Sequence, residues 1–219
     1  MQGRPFFLYG RYIMLRITAA IAALLISIQA APALAHHAMG GQMPNTFMTG
    51  LLSGLGHPII GLDHLAFILA AGLLAAPRAR GLILPLAFVL ASLAGVIVHL
   101  NGIDLPGGEI LVAASVLLLG VLLVIPRQID DGLFAAILAL AGLFHGYAFG
   151  ESIVGAETTP LGTYLAGLVI VQYGIAAGVV VAWRKLGKTA GDRLPRFSRY
   201  AGAGVAVIGA VFLALNLAA

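Results

Sequence analysis

An all-α fold is what this sequence predicts: a polytopic membrane bundle of about six transmembrane helices once a signal peptide is removed. Three observations predict it. Hydrophobic residues fill 61% of the 219 positions and charged residues 9%, against about 25% charged in a soluble domain. So few charges cannot cover a globule, and a mean hydropathy of +1.05 makes lipid the natural solvent. Apolar segments near the ~20 residues that a helix needs to cross a hydrocarbon core recur along the chain. The positive charges between those segments fall in alternate loops.

Composition also excludes function classes. The net charge is +4, but the basic residues sit in short loops and the leader, so nucleic acid is excluded as a partner. There is no cysteine, which removes disulfides, zinc–thiolate sites and iron–sulfur clusters. A bound metal here must use His, carboxylate, Met or backbone oxygen. No nucleotide-binding loop is visible, so the chain by itself is not expected to hydrolyse ATP.

Residues 1–35 read as a cleavable signal peptide. Arg4, Arg11 and Arg16 form a positive region, an apolar run extends from Ile17 to Ile28, and Ala33-Leu34-Ala35 is a small-x-small cleavage site. Met14 would start an even more ordinary leader, MLRITAAIAALLISIQAAPALA. The competing reading is an uncleaved first span. Cleavage leaves 36–219 as a single transmembrane domain beginning His36-His37, whose free amine and two imidazoles could serve as a metal-capture arm. An inert solvated tail is the alternative.

The mature spans are read as Thr46–Ala76, Gly81–Leu100, Glu109–Ile125, Gly132–Gly150, Leu161–Trp183 and Tyr200–Ala218. The first is too long for one straight crossing and contains Gly54, Gly56 and Pro58, so a break or re-entrant piece is expected near His57. The other reading is a surface helix before a span that starts at Pro58. All nine mature Lys and Arg residues lie after spans one, three and five, while Asp104, Glu109, Glu151 and Glu157 lie after spans two and four. The positive-inside rule then places the chain in the bacterial inner membrane with both mature termini in the periplasm. Small residues at four-residue spacing are expected to let helix backbones approach: Ala87, Ala91 and Gly95; Gly142, Gly146 and Gly150; Gly174 and Gly178.

Few ionisable groups remain inside the spans. They are His57, Asp63 and His64 in HPIIGLDH, His99 at the end of span two, and His145 with Glu151 in HGYAFGE. A carboxylate among Leu62, Leu65 and Phe67 costs about 2.5–3.5 kcal/mol on insertion scales, so Asp63 must be partnered. Depth along the spans brings these groups, with His36 and His37, to the periplasmic half. Imidazole and carboxylate without thiolate suit nickel, cobalt or zinc. His57 and His64 would sit about 10.5 Å apart along an ideal helix, too far to share one ion through ~2.1 Å bonds. Either the helix breaks near His57 or the two are successive stations. Glu151 is expected past the end of its helix, at the mouth. For His99 the bland alternative is an ordinary hydrogen-bonded interfacial histidine. For Asp63 and His64 it is a structural ion pair or hydrogen-bond knot, which Gln172 and Tyr173 would help to satisfy.

HPIIGLDHLAFILAAGLLA, from His57, resembles the HPxxGxDH signature of the HupE/UreJ membrane proteins, and FHGYAFGES, from Phe144, resembles their second motif, HGxAxGxE. The leader ending before a histidine is similar too, and the resemblance covers essentially the whole mature chain. It implies a nickel or cobalt permease, with His57, Asp63 and His64 from the first motif and His145 and Glu151 from the second. Phe149 stands where some relatives are polar.

The function expected is therefore a divalent transition-metal permease, not an enzyme, that takes up Ni²⁺ or Co²⁺ (or Zn²⁺) with no organic cofactor. Its metal residues would be His57, Asp63, His64, His145, Glu151, His99, His36 and His37. Expected partners are the divalent ion and membrane lipid, with a homo-oligomer left open. Two rival classes are a metal-dependent intramembrane hydrolase and a periplasm-facing metal sensor or chaperone using His36, His37, Met39 and Met43.

Overall fold

A computed structural model describes residues 43–125, 129–190 and 193–218, all within the unit His36–Ala219. The leader, His36, His37 and Met39 lie outside the described residues. Those described form seven helices and no strand: α1 (Phe47–Ile60), α2 (Leu62–Ala75), α3 (Pro85–Leu100), α4 (Gly108–Val124), α5 (Asp131–Glu151), α6 (Thr158–Ala190) and α7 (Arg193–Ala218). Of these, α5, α6 and α7 are each long and apolar enough to cross a membrane, and α1 with α2 makes a fourth candidate as one broken span. Helices α3 and α4 are apolar but shorter, at 16 and 17 residues, or about 24–26 Å at 1.5 Å per residue.

The first apolar segment is broken near His57, as its length requires, and the break falls at Gly61. Helix α1 starts on a capping box in which the Thr46 and Thr49 side chains satisfy each other's backbone N–H groups. It runs through Pro58 and ends where the Gly61 N–H bonds to His57 O at 3.1 Å. Gly61 is extended, and α2 departs at 78° to α1. Asp63 occupies the first turn of α2, and its Oδ1 accepts the His64 N–H at 2.8 Å. The break thus supplies a helix N-terminus, with its partial positive charge, beside a buried carboxylate.

Backbone proximity orders the helices into pairs. In α3 and α5, Gly142 lies against Phe88 O and Gly146 against Ser92 O. In α4 and α7, Gly120 meets Ala206 and Gly209 meets Leu117. In α1 and α6, Gly54 meets Tyr164, and Gly167 meets Leu51 O and the Leu55 amide. A Cβ at any of these glycines would strike backbone, so the close approach depends on its absence. Gly95, Gly142 and Gly146 pack as expected. Gly174 and Gly178 do not: each has open space where a Cβ would be, and Gly167 is the packing glycine of that helix. Four-residue spacing marks a smooth face without saying which neighbour covers it.

Helix α2 sits among α4, α6 and α7. Its apolar residues Ala66, Phe67, Ile68, Ala70, Ala71 and Ala75 are buried, which explains a segment that is apolar on every side. The contacts Gly50–Pro160, Gly54–Tyr164 and Gly72–Ala176 show α1 and then α2 running alongside α6 in the same direction. Helices α3 and α5 are parallel, and α4 and α7 antiparallel. These are the senses of six crossings in which α1 and α2 share one. Arg78, Arg184, Asp131 and Arg199 gather at one end. His99, Asp104, Tyr147 and Glu109 gather at the other.

Candidate metal site

The 78° turn at Gly61 changes the relation between His57 and His64. Along an uninterrupted helix they would be about 10.5 Å apart; across the break their ring centroids are 5.9 Å apart. His145, on α5, adds a third ring 4.9 Å from His64. His57, His64 and His145 are all buried, His145 completely. They follow one another as a series. Among the described residues, no three His, Asp or Glu side chains surround a point where one ion could sit. Of the two arrangements open to these residues, the break in the helix near His57 is the one found, and it brings the rings of His57 and His64 together.

Each imidazole is held by named partners. Ser115 Oγ donates to Val112 O at 2.7 Å and lies 2.9 Å from His145 Nε2. His145 Nδ1 and His64 Nδ1 are hydrogen-bonded to each other at 2.8 Å, so one of the two carries the proton between them. At the outer end, the hydroxyls of Tyr164 and Ser152 donate to Phe149 O at 2.7 and 3.1 Å. Both lie within hydrogen-bond reach of His57 Nδ1, at 3.1 and 3.0 Å. Ordering a ligating ring through its second nitrogen is the usual preparation of a metal-binding histidine.

The rest of the lining is aromatic. Phe149 is fully buried, with its ring 5.1 Å from that of His57 and 4.3 Å from that of His64. Phe67 lies 4.5 Å and Phe88 5.5 Å from His145. Asp63 is buried in the turn that bears His64 and brings a carboxyl group to the series.

The segments that meet here, HPIIGLDH and HGYAFGE, are 81 residues apart at the His64–His145 bond, and both fall within the residues that a family comparison matches. Residues 23–212 match the family described as HupE / UreJ protein. This chain belongs to the HupE/UreJ family. It is 32% identical to Protein HupE of Rhizobium leguminosarum bv. viciae over 202 residues, which cover 90% of this chain and 97% of that one. No solved structure matches it. The family is transporter-type and nickel/cobalt transporter-like, which agrees with a helical membrane bundle.

Not every residue expected at this HupE/UreJ site is in the series. Glu151 does not lie past its helix: it is the last residue of α5, and it is exposed. His99 lies in the last turn of α3 and stacks edge-on against Tyr147 at 4.4 Å, with Gly150 against its side chain. Its Nδ1 is buried without a hydrogen-bond partner among the described residues, which does not fit an ordinary hydrogen-bonded histidine. Tyr147 in turn donates to Asp104 at 3.4 Å.

Four functional candidates were missed in the sequence: Ser115, Ser152, Tyr164 and Ser92. One signal was available. Hydroxyls within an apolar span need a partner, and Ser115 stands among AASV in an otherwise hydrocarbon helix. Tyr173, expected in the knot, instead donates to Leu82 O at 3.2 Å.

Proposed function

We propose that this chain is a permease for a divalent transition-metal ion, Ni²⁺ or Co²⁺, which it takes up across the inner membrane from the periplasm. The observation that carries this reading is the buried series His57–His64–His145 beside Asp63 in an otherwise apolar bundle. Intramembrane ionisable groups are costly and mark ion pathways. Imidazole suits nickel and cobalt, and separate sites in line let an ion bind well enough to enter and weakly enough to leave. The turn between α1 and α2 adds to this. A half-helix C-terminus, with its exposed carbonyls, favours a cation, while the N-terminus of α2 favours the Asp63 carboxylate. A negative-inside potential of 100 mV would contribute about 4.6 kcal/mol for two charges, at ~2.3 each.

Uptake of Ni²⁺ and Co²⁺ by purified protein in liposomes, with and without an imposed potential, tests the reading. Asp63→Asn keeps the shape of the side chain and removes its charge, and it is expected to abolish uptake while the protein still assembles. Normal uptake by Asp63→Asn would leave only a structural knot. The same reading places both mature termini in the periplasm, in line with basic and acidic residues at opposite ends of the bundle. A reporter fused after Ala219 should be active only if it is of a periplasmic type; activity of a cytoplasmic type would reverse the direction of uptake.

A further inference from the structure

Beside the histidine series lies a second buried polar pair with different chemistry. Gln172 of α6 and Ser92 of α3 are each 1% exposed, and Gln172 Nε2 donates to Ser92 Oγ at 3.2 Å. Among the described residues this is the one side-chain hydrogen bond either residue makes. Among the described residues no hydrogen bond reaches the amide oxygen Oε1 of Gln172, and the Ser92 hydroxyl keeps lone-pair capacity beyond the bond it accepts. In hydrocarbon, neither group gains by being there.

Position gives the pair its meaning. The Ser92 carbonyl packs against Gly146, the residue after His145, so Ser92 stands at the depth of the innermost histidine. Gln172 is eight residues beyond Tyr164 on the same helix, about 12 Å further along it, and Tyr164 is the residue that orients His57. Helix α6 thus carries one polar group at the outer station and another near the level of the inner one.

We propose that Gln172 and Ser92 form a neutral oxygen station, which receives the divalent cation from the histidine series and passes it inward. This rests on the permease reading. Imidazoles beside a carboxylate hold a dication firmly, whereas an uncharged amide oxygen and a hydroxyl hold it weakly and restore part of its oxygen shell. Such a step makes release possible, because conduction requires binding that is not too tight.

The test is Ni²⁺ uptake into proteoliposomes by wild type, Asp63→Asn, Gln172→Glu and the double variant Gln172→Leu/Ser92→Ala. The double variant removes both polar groups together and so strands neither in an apolar site. Its maximal rate is expected to fall about tenfold, close to 1.4 kcal/mol, while the half-saturating Ni²⁺ concentration, set by the histidines, stays nearly constant. Gln172→Glu keeps an oxygen and adds charge, so both the half-saturating concentration and the maximal rate should fall as the ion is retained. A purely structural pair would leave that kinetic split unmoved. If wild type carries no Ni²⁺, both readings fall. If wild type carries it, Asp63→Asn does not, and the double variant matches wild type, the permease reading stands and the oxygen station is overturned. If the double variant fails to assemble, Gln172→Glu decides, and wild-type kinetics there overturn the station.

Discussion

Two regions of the bundle hold their buried polar groups by opposite means. At the basic end, Arg78 binds Asp131 at 2.6 Å, Ile129 O at 2.9 Å and Leu74 O at 3.2 Å, and its guanidinium lies 4.7 Å over the Phe134 ring. Arg184 in turn donates to Arg78 O at 2.8 Å. Charge is neutralised on the spot, and the bonds tie the loop after α2 to the start of α5 and to α6. Away from that end, His64 and His145 are hydrogen-bonded to each other and His57 and His145 to hydroxyls, and Asp63 has no Arg or Lys within salt-bridge distance among the described residues. One arrangement closes a structure. The other sets a carboxylate without a basic partner beside three imidazoles, the feature on which the proposed permease reading rests.

The largest expected effect breaks the series at its middle. His64→Ala removes the ring that bridges His57 and His145, and uptake is expected to fall about 100-fold or more, since losing even an orienting partner of a metal ligand costs about 10–100-fold. Thermal stability should change little by comparison. A variant that unfolds but, where folded, transports normally would show that the series is structural after all.

Arg78→Ala sharpens the contrast from the other side. It leaves two carbonyls and a carboxylate without their donor. A loss of about 2 kcal/mol is expected for hydrogen bonds to a charged group, which is roughly 4–8 °C in Tm for a chain of this size. Uptake per folded molecule should be unchanged, and a change in the half-saturating Ni²⁺ concentration would show that the basic end also handles the ion. Smallest is His99→Ala. Its Nδ1 is unpartnered but its ring lies outside the series, so a shift of roughly 2–5-fold in half-saturating concentration is expected, or about 0.5–1 kcal/mol. A loss as large as that of His64→Ala would extend the series to α3.

Much of the site was legible because hydrocarbon makes ionisable residues conspicuous. In spans this apolar, His57, Asp63, His64 and His145 stand out, and the glycines and proline before them forecast a break. Neutral residues were less legible. Ser115, Ser152 and Tyr164 cost little in an apolar helix and carry no motif spacing, so their roles as hydrogen-bond partners of the rings appear only when the helices are assembled. Phe149 read as a position where polarity had been lost; in the fold it is the wall between two histidines. Gly174 and Gly178 show the reverse error, a spacing that promised contact where the fold leaves open space.

By itself the sequence determined the helical class, the alternation of basic and acidic loops and the ionisable residues, because each follows from the free energy of transferring a side chain or charge into lipid and is local to its segment. The tertiary structure decided three things: that the first span turns by 78° at Gly61, that His64 meets His145 across 81 residues, and that the His64 ring lies near those of both His57 and His145. The physical reason is that helix direction and register are set by which glycines meet which backbones, as at Gly146 and Ser92 or Gly167 and Leu51. Those contacts are non-local, and no periodicity within a single segment records them.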